Sequence, residues 1–194
     1  MYKKWIIVLV IIVLGTAALG GYLKKEEPKK DPVVESENDD EKDQVIEENG
    51  VFVGDKAYDF TLLDKEGNEI KLSDLKGKVV FLNFFTTWSG ACNQEMPHIQ
   101  EIYEKYQEKN IVVLAVNVLA AEKKDAKGVN DFLDEKGYTF PILYDVDGEI
   151  SVKYKVRTYP TTYIIDEEGI IKEAVTQSMD KKTMLEKIEN VLNK

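Results

Sequence analysis

The chain contains very little of several residue types on which common functional sites depend. Among its 194 residues there is one cysteine, Cys92, one histidine, His98, and one arginine, Arg157. A single cysteine excludes a disulfide within the chain, so any disulfide must join Cys92 to another molecule. One cysteine and one histidine, without an HExxH motif or paired CxxC motifs, argue against a zinc site. We therefore expect neither a resident metal nor another cofactor.

The sequence also lacks the signatures of nucleotide and nucleic-acid binding. It has no GxGxxG and no GxxxxGK[ST] motif, so nothing predicts a backbone cradle for phosphates. The formal net charge is −10 and the pI about 4.8, which leaves no basic face to neutralise a run of phosphates. No internal repeat is present, and nothing in the sequence points beyond a monomer.

One long apolar run is present near the N-terminus. Residues 5–23 are 19 residues without a charge, about the length that a helix needs to cross a bilayer. Because Lys3 and Lys4 precede the run, the positive-inside rule places the N-terminus in the cytoplasm and the remainder outside. We predict an uncleaved membrane anchor over residues 1–23. A cleaved signal peptide is the alternative, since residues 18–20 (ALG) are compatible with a cleavage site, and either arrangement exports the rest of the chain.

A strongly charged segment separates this run from the globular part. Residues 24–50 contain 11 acidic residues, 5 lysines and 2 prolines. With few apolar side chains to offset the entropy of ordering, this segment is predicted to be a disordered acidic tether. Residues 51–194 are predicted to form one domain, since 144 residues are enough to bury a sizeable core.

The pattern of the domain alternates between strands and helices. Strands are predicted over residues 57–63, 69–72, 79–85, 111–118, 140–144, 161–165 and 170–176, and helices over 94–109, 125–136, 150–154 and up to residue 192 behind the N-cap Asp180. The strand–helix–strand order in the middle predicts parallel strands with a right-handed crossover. Hairpins at both ends add antiparallel pairs. The expected fold class is α/β, with a mixed central sheet flanked by helices.

Four segments of the domain carry a recognisable combination of motifs. They are residues 54–60 (GDKAYDF), 75–84 (LKGKVVFLNF), 88–97 (WSGACNQEMP) and 156–166 (VRTYPTTYIID). In this order they resemble the thioredoxin superfamily, and in particular its membrane-anchored TlpA/ResA-like thiol–disulfide oxidoreductases. The third segment fits the family pattern W-C-x-x-C-x-x-E-x-P except at position 89, which holds serine. The resemblance implies a thioredoxin-like fold with an N-terminal hairpin and a helical insert between residues 119 and 140.

The resemblance also implies roles for the residues near position 89. In the family, a cysteine at this position is the nucleophile, favoured as a thiolate by the helix N-terminus. Cys92, one turn later, would resolve the mixed disulfide. Glu95 corresponds to the acid beneath the family's active site, which tunes the thiol pKa or relays protons. The alternative for Glu95 is a surface glutamate near a helix start. His98 and Arg157 are interpreted as ordinary polar residues.

A place for a client polypeptide is implied as well. Trp88, Tyr159 and Pro160 correspond to the residues beside which the family binds an extended substrate, and Pro160 is expected to follow a cis peptide bond. The implied partners are a protein disulfide or thiol, such as an apocytochrome before haem attachment, and a membrane thiol electron donor. The implied location is the cell membrane, with the domain on the extracytoplasmic side.

Ser89 changes what this site can do. A serine hydroxyl without an adjacent base attacks disulfides poorly, although serine is well suited to N-cap a helix. The predicted function is therefore a thiol–disulfide oxidoreductase of this type whose activity is compromised or altered. Ser89 is either a natural variant or an engineered replacement of cysteine, and a non-catalytic client-binding module is an open alternative. A further alternative is a single-cysteine peroxidase. Peroxiredoxins have a T-x-x-C motif at this place, which Ser89-x-x-Cys92 resembles, but Phe85 stands where they have a proline.

Overall fold

The computed structural model describes residues 48–107 and 109–193 of the chain. The predicted membrane anchor, and the predicted tether up to residue 47, lie outside the described residues. Within the described part, none of the helices combines the length and the apolar character needed to span a bilayer.

Strands and helices alternate along the described chain. The strands are β1 (Asn49–Gly50), β2 (Lys56–Ala57), β3 (Thr61–Asp64), β4 (Glu69–Lys71), β5 (Val79–Phe85), β6 (Ile111–Asn117), β7 (Ile142–Tyr144), β8 (Thr161–Ile165) and β9 (Ile171–Val175). The helices are α1 (Gly90–Tyr106), α2 (Ala126–Lys136), α3 (Glu149–Lys153) and α4 (Lys181–Leu192), with short 3-10 turns at Leu72–Leu75 and Leu119–Ala121.

A mixed sheet forms the centre of the domain, as predicted. Its strand order is β4-β3-β7-β6-β5-β8-β9. The pairs β5–β6 and β6–β7 are parallel, whereas β3–β4, β3–β7, β5–β8 and β8–β9 are antiparallel. The parallel core, the N-terminal hairpin and the C-terminal hairpin are thereby confirmed. A separate parallel pair, β1–β2, was not predicted and joins Asn49–Gly50 to the domain rather than to the tether.

Strand β5 is buried along its whole length because both faces of the sheet are covered. Phe81 and Phe85 belong to the core cluster that contains Ile99 of α1 and Met184 of α4. The alternate residues of the strand, among them Phe84, belong to a second cluster on the opposite face. A strand buried on both sides reads as a continuous apolar run, which explains why its bounds were predicted residue for residue. The end of β5 and the start of α1 are thus fixed by the core.

The strand predicted over residues 57–63 is interrupted, because its two halves have different partners. Lys56–Ala57 pairs with β1, and the Ala57 N–H donates to the Gly169 carbonyl. Thr61–Asp64 pairs instead with β4 and β7. The predicted helical insert is present as the Leu119–Ala121 turn and α2. Asp125 caps α2 by accepting from the Gly128 N–H at 2.9 Å.

Candidate active site

The predicted site residues meet at the carboxyl end of β5. Ser89 is the N-cap of α1, four residues after that strand ends. The loop that contains Tyr159 and Pro160 leads into β8, and Thr161 is paired with Phe84 of β5. The peptide bond between Tyr159 and Pro160 is cis, as expected. The antiparallel pairing of β5 and β8 therefore brings two segments 70 residues apart together, where β5 ends and β8 begins.

Ser89 links the start of α1 to the proline loop. Its hydroxyl accepts a hydrogen bond from the Cys92 N–H at 3.3 Å and donates one to the Tyr159 carbonyl at 3.1 Å. The side chain is 7% exposed. This confirms the predicted N-cap and moves the start of α1 to Gly90 from the predicted residue 94. Apolar spacing begins only at Met96, so periodicity could not reveal the first turn.

Cys92 lies behind Ser89 and is almost completely enclosed. It is 1% exposed and unpaired. Burial raises the pKa of the Cys92 thiol, and the nearby carboxylates of Glu95 and Glu122 raise it further, while hydrogen bonds with the Ser89 side chain and the Thr86 backbone act in the opposite direction. The arrangement is that of a protonated, shielded thiol. It suits a resolving cysteine and does not suit a first nucleophile.

Glu95 is buried beneath the site, so the alternative of a surface glutamate is wrong. It is 1% exposed, and its two oxygens accept hydrogen bonds from Asn83 Nδ2 and from the Met179 N–H, each at 3.3 Å. Burial raises the pKa of Glu95 to about 7, despite the hydrogen bonds from Met179 and Thr162 that lower it. A carboxyl group with this pKa can give or take a proton near neutral pH.

Trp88 and Tyr159 form the accessible wall of the site. Trp88 is 47% exposed, and its indole N–H donates to the Ala121 carbonyl at 2.8 Å. Its ring meets that of Tyr159 edge to face, with centroids 6.2 Å apart and planes at 87°. Pro160 itself is buried. The accessible part of the site therefore consists mainly of these two aromatic rings.

A second carboxylate, which sequence reasoning missed, braces the loop before α1. Glu122 accepts hydrogen bonds from the Thr87 N–H at 2.5 Å, from the Thr87 hydroxyl at 2.9 Å and from Asn117 Nδ2 at 2.8 Å. It belongs to the helical insert, 35 residues from Thr87 in sequence. Asn83 was also missed, although it did leave a signal: it is the polar residue within the apolar run of β5.

Removing the Glu122 carboxylate should destabilise the domain. In a Glu122→Ala variant, two donors of Thr87 and one of Asn117 lose their acceptor in a partly buried place, and we expect a loss of about 2–3 kcal/mol in the free energy of unfolding. Urea unfolding monitored by fluorescence measures it. Glu122→Gln, which keeps one oxygen acceptor, should lose clearly less. A loss below about 0.5 kcal/mol for Glu122→Ala, as for a surface substitution, would show that the brace has no energetic role.

His98 and Arg157, interpreted from the sequence as ordinary polar residues, form no hydrogen bond or ion pair with the site residues in the described part of the chain. His98 lies on α1 with its Nδ1 3.7 Å from Glu101 Oε1, and Arg157 is exposed. Across residues 48–107 and 109–193, no three or more His, Cys, Asp or Glu side chains are grouped so that they could hold a metal ion.

The fold and the site are those of a thioredoxin-like protein of the thiol–disulfide oxidoreductase class. The features that define this class are the strand order, the Ser-x-x-Cys turn at the start of α1, the buried acid beneath it and the proline opposite. Residues 53–174 match the model of the AhpC/TSA family. The chain belongs to the AhpC/TSA family.

Known relatives include a thioredoxin-like protein and a thiol-disulfide oxidoreductase. The chain is 38% identical over 189 residues to the thioredoxin-like protein YneN of Bacillus subtilis (strain 168), covering 97% of this chain and 99% of that one. It is 41% identical over 145 residues to the thiol-disulfide oxidoreductase ResA of Geobacillus thermodenitrificans, covering 75% and 81%. Among solved structures, StoA from Bacillus subtilis superposes with a TM-score of 0.61 at 28% identity, covering 68% of this chain and 96% of StoA.

Proposed function

We propose that this protein is an extracytoplasmic, membrane-tethered member of the ResA type that receives a thiol- or disulfide-bearing segment of a client protein. The observation that carries the proposal is the Ser89 hydroxyl at the N-terminus of α1, between the Cys92 N–H and the Tyr159 carbonyl. Every part of a dithiol site surrounds it except one sulfur. The names of the relatives, thiol-disulfide oxidoreductase ResA among them, support the same class of chemistry.

The missing sulfur interrupts the reaction at its first step. In a dithiol site, a thiolate at position 89 attacks one sulfur of the client disulfide, which forms a mixed disulfide and expels the other client sulfur as a thiolate. Cys92 then loses its proton, for which Glu95 is the nearby acceptor, and attacks the sulfur at position 89. That second step releases the remaining client thiol and leaves the internal disulfide. Ser89 cannot perform the first attack, so this chain alone holds a client without reducing it.

The client and the location follow from the proposed class. We propose that the client is an exported protein with a cysteine in an extended segment, an apocytochrome before haem attachment being one example. A membrane thiol donor would serve a dithiol form of the site. The apolar residues 5–23 are proposed to tether the domain to the outer face of the cell membrane. The experiment that tests the class is the gain of reductase activity in Ser89→Cys, described in the Discussion.

Cys92 is expected to be unreactive in the native protein. Because the thiol is buried and its pKa is raised, iodoacetamide at pH 7 should alkylate native Cys92 at least about 100-fold more slowly than in the urea-unfolded chain. Mass spectrometry after timed quenching measures both rates.

The same property argues against the alternative of a single-cysteine peroxidase. Hydrogen peroxide should leave native Cys92 without a sulfenic acid that a dimedone probe can capture. Rapid native alkylation together with dimedone labelling would contradict the proposal and support the peroxidase alternative.

A further inference from the structure

Two consecutive residues, Trp88 and Ser89, contact Tyr159 at its ring and at its backbone carbonyl. The Ser89 hydroxyl donates to the Tyr159 carbonyl at 3.1 Å, and the Trp88 ring packs edge to face on the Tyr159 ring. Trp88 is itself fixed, because its indole N–H donates to the Ala121 carbonyl. We call Trp88, Ser89 and Tyr159 the Tyr159 clamp.

Hydrogen bonds from threonine side chains also hold the proline loop. The Thr161 hydroxyl donates to the Thr158 carbonyl at 2.8 Å, and the Thr158 hydroxyl donates to the Thr176 carbonyl at 3.2 Å, just beyond β9. Side chains therefore secure the loop to its own turn and to the end of the C-terminal hairpin. The hydrogen bond from Ser89 completes this arrangement by joining the loop to the first turn of α1.

The bond from Ser89 to Tyr159 is one that an ionised sulfur cannot make. A hydroxyl can donate and accept at the same time, and Ser89 does both, since it accepts from the Cys92 N–H. A thiolate can only accept, and a neutral thiol is a weak donor. The Tyr159 carbonyl precedes Pro160 and belongs to the backbone that a client segment would face. Serine at position 89 thus removes the nucleophile and adds a link across the client site.

We propose that Ser89 is a positioning residue that fixes Tyr159 and the proline loop in the conformation that receives a client, so that the surface beside Trp88 and Tyr159 binds an extended polypeptide segment without a sulfur–sulfur bond. The inference rests on the proposed function and deepens it by naming the client class. That class is an unfolded segment with apolar side chains, which match the exposed Trp88 ring and the partly buried Tyr159 ring beside it, and its binding requires no cysteine. A loop held in its binding conformation pays less ordering entropy when the segment binds.

The test uses the full chain in detergent with a client that cannot form a disulfide. The probe is fluorescently labelled, carboxamidomethylated α-lactalbumin, which is permanently unfolded and has every thiol blocked. Anisotropy titrations compare the wild type with Ser89→Gly and Ser89→Thr. Glycine is tolerated as an N-cap but has no hydroxyl, whereas threonine keeps the hydroxyl. The loss of one hydrogen bond should weaken binding about fivefold in Ser89→Gly, and Ser89→Thr should restore it.

A second readout reports the clamp itself. Because the chain has only two tryptophans, Trp5 and Trp88, a Trp5→Phe background makes the fluorescence specific to Trp88. Acrylamide should quench Trp88 more strongly in Ser89→Gly than in the wild type or Ser89→Thr.

Three outcomes decide the inference. Weaker binding and stronger quenching in Ser89→Gly, both reversed by threonine, support it. Equal binding by the wild type and Ser89→Gly overturns it and leaves the proposed function standing. No binding of the probe by the wild type also overturns it, and the reductase assay of Ser89→Cys then shows whether the proposed function falls with it.

Discussion

Replacing Ser89 by cysteine is expected to give the protein disulfide reductase activity. The Ser89→Cys variant, supplied with dithiothreitol, should reduce insulin disulfides at least about tenfold faster than the wild type, which should not exceed the dithiothreitol background. The reason is structural: position 89 is the N-cap of α1, where unpaired N–H groups favour a thiolate. Cys92 follows one turn later with Glu95 beneath it. The precipitation of insulin B chains, monitored by turbidity, measures the rate.

Two variants control for effects other than the restored sulfur. Ser89→Thr keeps a hydroxyl and should remain at background. The double variant Ser89→Cys with Cys92→Ser, mixed with insulin without dithiothreitol, should stop at a mixed disulfide, because the chain has no second thiol to resolve that intermediate. A correctly folded Ser89→Cys protein that reduces no protein disulfide would show that this site is not of the oxidoreductase class.

Glu95 is expected to make the stability of the domain depend on pH. Burial raises the pKa of Glu95 from 4.5 to about 7 in the folded protein. Below pH 4.5 the carboxyl group is protonated in both states and contributes no pH dependence. Between pH 4.5 and 7 the unfolded chain has released the proton while the folded protein still binds it, so the free energy of unfolding falls as pH rises. Above pH 7 this contribution is constant.

The measurement is a series of urea unfolding curves between pH 4 and 8. Relative to Glu95→Gln, which carries no titrating group, the wild type should lose up to about 3 kcal/mol of stability between pH 4.5 and 7. Only the difference in slope matters, because glutamine also alters the hydrogen bonds to Asn83 and Met179. Glu186→Gln, on an exposed glutamate of α4, should follow the wild type. Parallel pH profiles for the wild type and Glu95→Gln would show that the buried carboxyl does not titrate in this range.

The sequence predicted elements best where local pattern and tertiary environment agree. Val79–Phe85 was predicted residue for residue, because a strand covered on both faces is apolar throughout. The first turn of α1 was missed by periodicity, since Gly90 and Ala91 carry no apolar pattern. The interruption between β2 and β3 was also missed, because it arises when Ala57 pairs with the distant Gly169. A local sequence pattern does not show which distant segment a strand residue will pair with.

The same distinction applies to the site. Cys92, Glu95 and Pro160 could be found because they belong to short linear motifs, and the structure brings them together at the end of β5. Glu122 could not be found, because its contact with Thr87 depends on how the insert folds back. The link from Ser89 to Tyr159 joins residues 70 positions apart. Motif spacing gave the N-cap role of Ser89, whereas its role as a donor became visible only in the fold.

The most direct test of the central claim is a count of free thiols in Ser89→Cys after equilibration with oxidised glutathione. If position 89 and Cys92 have the geometry of a dithiol site, the two thiols should disappear together, with no glutathione adduct in the intact mass and a loss of 2 Da, as an internal disulfide requires. Two titratable thiols, or a stable glutathione adduct, would contradict the claim that one missing sulfur separates this chain from a complete thiol–disulfide active site.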